Sequence, residues 1–135
     1  MNGKEGCAML SRYTMYRRRP ANAGPLPNGT RQDSRYRTRH VLRPPQTVVE
    51  TYLESPSDET WQLFRETYLA CLEQRYLEDP ESFAKLAELA MAQDVYLGCS
   101  CPTKKNPDVR RCHTYLALEF MNEKFPTLDI EFPKS

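Results

Sequence analysis

"DVYLGCSC", Asp94 to Cys101, decides how the chain is read. It follows "DPESFAKLAELAMAQ", where Phe83, Leu86, Ala87 and Ala90 recur at helical spacing behind an Asp79 cap and a first-turn Pro80. The period then breaks. Val95, Tyr96 and Leu97 are consecutive apolar residues, and a short apolar run after a helix reads as a buried strand. Gly98 ends the run and allows close backbone approach.

Upstream, "SPSDETWQLFRETYLACLEQRY" predicts the clearest helix. Ser55 and Pro56 read as a cap with proline in the first turn, and Asp58 and Glu59 favour the positive end of the helix dipole. Trp61, Phe64, Tyr68, Cys71, Leu72 and Tyr76 fall three or four apart on one face. At that spacing such a stripe is core rather than a cofactor box. Downstream comes the polar loop "PTKKNPDVRR", then a helix starting near Asn106-Pro107 or at Cys112, with Leu116, Phe120 and Met121 facing inward. Phe125-Pro126 ends it. "LDIEF", Leu128 to Phe132, alternates as an edge strand would, and "YRTRHVL", Tyr36 to Leu42, reads as a short strand closed by Pro44 and Pro45. Helix, strand, helix, strand is an α/β pattern.

Residues 1–34 show no apolar periodicity and are rich in Arg, Pro, Gly and Asn. They read as an irregular basic arm, with residues 35–135 as one α/β domain. Tyr13, Met15 and Tyr16 are the arm's candidates for docking on that domain. Residues 1–45 carry ten Lys or Arg and two acids, and the remainder nine bases and sixteen acids. The near-neutral total thus hides a basic front and an acidic back. Arg12, Arg17, Arg18 and Arg19 interleave with Tyr13 and Tyr16, a composition that can hold nucleic acid or an acidic partner.

Mean hydropathy is −0.73, and no stretch is apolar enough to cross a bilayer. The N-terminus lacks the apolar run of a secretory signal, and five cysteines is an odd number. The expectation is a cytoplasmic protein with reduced thiols. Cys71 reads as a small apolar filler in its helix, and Cys7 lies in the arm. No Gly-rich phosphate loop, paired-carboxylate motif or Ser-His-Asp arrangement stands out.

The pieces "RHVLRPPQ", "ETWQLFRETYLACL" and "DVYLGCSCPTKKNPDVRRCHTYLALEFM" resemble domain-of-unknown-function family 488 over about 85 residues, Arg37 to Met121. Members of that family carry a strand ending in a Gly-Cys-x-Cys-like element, a loop, and Cys-His opening a helix. Gly98, Cys99, Cys101, Cys112 and His113 occupy those positions. The loop between Cys101 and Cys112 is longer than usual, and Thr114 stands where many members have Arg. The resemblance implies a small, partial Rossmann-like α/β domain with a short, mainly parallel sheet flanked by helices. It implies no reaction.

The Gly98–His113 segment has three readings. As a strand–loop–helix edge it suits an anionic or nucleotide-derived ligand, with Cys99, Cys101, Arg110 and Arg111 binding and Cys112 and His113 as candidates for chemistry; Lys104 and Lys105 add charge. Alternatively, Cys99, Cys101, Cys112 and His113 make an acceptable zinc set. Cys-x-Cys is tighter than the usual knuckle, however, and Cys112 and His113 are adjacent. The spacing therefore predicts no cofactor and no convergence on one tetrahedral point. The third reading is simple packing of buried cysteines.

Overall fold

The sheet has three parallel strands, β1 (Leu10–Thr14), β2 (Thr30–Asp33) and β3 (Val95–Cys99), in the spatial order β1-β3-β2. The computed structural model describes residues 8–134, so Cys7 lies outside the described residues. In β3, Val95, Leu97, Gly98 and Cys99 are buried, as the apolar run requires of a central strand. It pairs on one side from Leu10↔Val95 to Thr14↔Cys99, and on the other from Thr30↔Val95 to Asp33↔Gly98. Both flanking strands come from residues expected to form an irregular arm. "LSRYT" holds one large aliphatic residue and "TRQD" none, so backbone pairing with β3 leaves no apolar period to read. The boundary expected after residue 34 falls within this paired edge, where the Ser34 N–H donates to Gly98 O at 3.1 Å.

Gly98 is closely approached, but by side chains rather than by the backbone expected there. A Cβ there would lie 2.6 Å from Met15 Sδ and 3.0 Å from a Tyr13 ring carbon. Tyr13 and Met15 therefore belong to the folded body, and Tyr16 is exposed.

Four helices follow: α1 (Gln46–Glu54), α2 (Asp58–Glu78), α3 (Pro80–Ala92) and α4 (His113–Lys124). The first was not anticipated. Its sequence, "QTVVETYLE", has β-branched residues of modest helix propensity, but Tyr52 is buried and Val48, Val49 and Leu53 pack on the core. Ser57, rather than Ser55, caps α2. Its Oγ accepts from Thr60 N at 3.1 Å while Thr60 Oγ1 takes the Ser57 N–H at 2.9 Å. Asp79 caps α3 as expected. The aromatic stripe of α2 is core: Phe64, Tyr68 and Leu72 are buried, and Trp61 stacks on Phe64 with ring centroids 5.2 Å apart. Burying each such large side chain contributes about 1.5–3 kcal/mol.

Two expected strands are replaced by other structure. Residues 36–42 form turns because side chains take up the backbone groups a strand would offer a neighbour: Thr38 Oγ1 donates to Arg35 O at 2.7 Å, and the Leu42 N–H donates to His40 Nδ1 at 3.0 Å. The segment at residues 128–132 makes one parallel bridge, Leu10↔Ile130, along the outer side of β1. Pro133, which has no N–H, follows two residues after Glu131 donates to Leu10 O. Among the described residues no helix is long and apolar enough to cross a membrane.

Candidate thiol–imidazole site

In a parallel sheet the chain leaves every strand at the same edge, and the site forms there. Cys99 ends β3, Cys101 follows two residues later, Cys112 occupies the cap position of α4 and His113 opens that helix. Tyr68 on α2 supports the imidazole edge-on, with centroids 6.0 Å apart. Cys112 is 2% exposed and His113 4%, and only Cys101 is half-buried.

Three of the four groups come together, closer than their spacing suggested, and Cys101 stands beside them outside that set. Ligand atoms of Cys99, Cys112 and His113 all lie within 4.8 Å of one another. Cys112 Sγ is 3.8 Å from His113 Nδ1, and Cys99 Sγ is 4.0 Å from Cys101 Sγ. Cys112 and His113 can meet because Cys112 has extended backbone, φ −123° and ψ 151°, whereas His113 is already helical. The strand-to-helix change turns two adjacent side chains toward one point.

The surrounding hydrogen bonds fix the chemistry of each atom. Ser34 has one hydroxyl proton. Donating it to Gly98 O at 3.0 Å leaves its oxygen to accept from His113 Nε2–H, also at 3.0 Å. The imidazole is thereby held with a proton on Nε2, and in its neutral form Nδ1 presents a lone pair to Cys112. Thr114 Oγ1 accepts from Arg12 Nε at 3.1 Å and donates to Cys112 Sγ at 3.2 Å. Asn106 Nδ2 donates to Cys101 Sγ at 3.3 Å, and Arg12 Nη2 donates to Cys101 O at 2.7 Å. The protein thus aims donors at sulfur from outside.

The thiols titrate as one set. Hydrogen bonding to Cys101 and Cys112, with burial, pushes Cys99 well above the ordinary thiol range. Hydrogen bonding to Cys112, with burial, pushes Cys101 up to about 12. Burial alone would raise Cys112, but hydrogen bonds from Cys101 and Cys99 and the adjacent His113 bring it well below that range. The cluster favours one thiolate, on Cys112, with Cys99 and Cys101 kept protonated as donors to it.

The two sequence-predicted arginines are engaged elsewhere. Arg110 pairs with Asp108 at 3.2 Å, and the Arg111 guanidinium pairs with Asp58 at the start of α2. A cavity of about 320 Å³ at the same sheet edge is lined instead by Asp33, Arg35, Tyr36, Arg37, Thr38 and Ser100. Arg35 is held there by Asp33 at 2.8 Å and donates to Ser100 Oγ at 3.3 Å. Arg12, Ser34, Asn106 and Thr114 are the site residues that sequence reasoning missed. Asn106 and Thr114 could be suspected from their closeness to the Cys-His pair. Ser34 and Arg12 lie 79 and 102 positions from their partners and carry no local signal.

These features define a small parallel α/β domain with a buried thiol–imidazole cluster at the carboxyl edge of its sheet. Compared with family models, curated proteins and solved structures, the chain matches none of them.

Proposed function

We propose that Cys99, Cys101, Cys112 and His113 bind one zinc ion that fastens the end of β3 to the start of α4. The spacing of the ligand atoms carries this reading. Tetrahedral zinc with Zn–S bonds of about 2.3 Å keeps its ligand atoms about 3.8 Å apart; Cys99, Cys112 and His113 already lie within 4.8 Å of one another, and Cys101, 4.0 Å from Cys99, would move in as the fourth ligand. The lone pair on His113 Nδ1, oriented by Ser34 on the far nitrogen, suits a metal ligand. Three thiolates and a neutral imidazole around Zn²⁺ leave one negative charge, and Arg12 reaches the cluster through Thr114. Burial of Cys112 and His113 favours a structural ion over a catalytic one, because a substrate has no approach to either group.

The test is the metal content of protein purified without added zinc, read by mass spectrometry. About one zinc per chain is expected, with loss of the metal and of thermal stability under a strong chelator. Metal-free protein whose stability is unchanged by added zinc would refute the reading.

A second reading concerns the ligand. The Arg35–Arg37 cavity favours binding of a phosphate-bearing anion at the carboxyl edge, with Arg37 as the main contact because Arg35 is neutralised by Asp33. Pyrophosphate binding by calorimetry that is lost in Arg37→Ala supports it. Equal heats in the two proteins would reject it.

A further inference from the structure

We infer that the carboxyl edge of the sheet is a binding surface for single-stranded nucleic acid. This rests on the anionic-ligand reading and names its class. Because all three strands are parallel, the loops that leave them share one edge, and each is basic. Arg17 and Arg18 follow β1, Arg37 and Arg39 follow β2, and Lys104 and Lys105 follow β3; all six are exposed. Among the described residues none of the six makes an ion pair. The acids beside these loops, Asp33, Asp108 and Asp58, are each paired with an arginine outside the six, Arg35, Arg110 and Arg111, so none cancels the free charge.

Hydrogen bonds join the three loops into one surface. Met15 N donates to Cys99 O, Ser34 N to Gly98 O, and Arg35 Nη1 to Ser100 Oγ. Aromatic rings stand among the cations. Tyr16 is 42% exposed with the Arg19 guanidinium 5.3 Å from its ring centre, and half-buried Tyr36 has Arg37 at 5.3 Å. Arginine-backed tyrosines beside a track of cations suit a strand whose bases are free to stack while its phosphates lie along the charges. A duplex keeps its bases stacked internally and gains only the charge.

The experiment uses the full chain and two fluorescein-labelled twelve-nucleotide strands of equal charge: oligo-dT and a wholly abasic strand. Their anisotropy is followed across a salt series. The inference predicts that oligo-dT binds about tenfold or more tighter than the abasic strand, and that Tyr16→Ala with Tyr36→Ala removes this difference. Arg18→Ala with Lys104→Ala should weaken both strands and flatten a log–log salt slope that, for about six phosphates, lies near −4. Equal affinity for the two strands overturns the inference and leaves the anionic-ligand reading in place. Failure of both strands to bind at low salt, together with failure of pyrophosphate to bind, overturns both.

Discussion

The two histidines lean on the same strand end and differ in chemistry. Each ring hydrogen-bonds to a residue from the β2 region, His40 to Gln32 and His113 to Ser34, two positions apart on the chain. At His40 both nitrogens are used by the protein: Nδ1 accepts from Leu42 N–H at 3.0 Å, and Nε2 donates to Gln32 Oε1 at 2.6 Å. At His113 one nitrogen is fixed by Ser34, and the other faces a buried thiol among three. A ring with both nitrogens engaged holds a turn in place. A ring with one nitrogen engaged and one aimed at sulfur is prepared to be a ligand.

The sharpest way to break this contrast is to remove a ligand on the His113 side. Cys112→Ala should abolish stoichiometric zinc and cost about 3 kcal/mol or more, a fall of roughly 10 °C in Tm, read by metal analysis and thermal denaturation. If the variant retains both metal and Tm, the cluster holds no ion.

On the other side, His40 should govern acid stability. Burial, aided by the nearby His113 and arginines, lowers its pKa from 6.5 to about 4. Above pH 6.5 the ring is neutral in both folded and unfolded chains, so it exacts no cost. Between 6.5 and 4 the unfolded chain takes up a proton that the folded one refuses, and stability falls as pH falls, by about 3 kcal/mol in all. Urea denaturation of the chelator-treated protein across that range should show this decline, and His40→Gln should flatten it. A decline unchanged in the variant would assign it to other groups.

Ser34→Ala tests orientation. It leaves the thiols untouched and frees His113 Nε2, so zinc affinity should fall about 10–100-fold while the far-ultraviolet circular dichroism is kept. An unchanged affinity in a zinc competition assay would mean that Ser34 only packs. The smallest effect is expected from Arg111→Ala. Its partner Asp58 has a side chain 92% exposed, so the loss should stay below about 1 kcal/mol, and zinc content should not change.

What the sequence made legible follows from burial. The Val95–Leu97 strand and the Phe64–Tyr68–Leu72 stripe were readable because their side chains meet the core. β1 and β2 were not, because a parallel neighbour already in place supplies their order through backbone hydrogen bonds. Those bonds put no period into "LSRYT" or "TRQD". The same limit applied at the site. Cys99, Cys101, Cys112 and His113 were recognisable as a group from their closeness in the chain, but spacing alone gave no sign that Cys99, Cys112 and His113 would meet. It could not register the change from extended backbone at Cys112 to helix at His113 that turns both toward one point. Arg111 looked available because Asp58, 53 residues away, is invisible to a local reading of the loop, whereas Arg110's partner Asp108 stands two residues from it and could have been read.

X-ray absorption at the zinc edge tests the central claim most directly. On the protein as purified, the account predicts a four-atom shell of three sulfurs at about 2.3 Å and one imidazole nitrogen at about 2.0–2.1 Å, reduced by one sulfur in Cys101→Ser. A zinc shell of oxygen and nitrogen alone, or the absence of zinc from the folded protein, would contradict it.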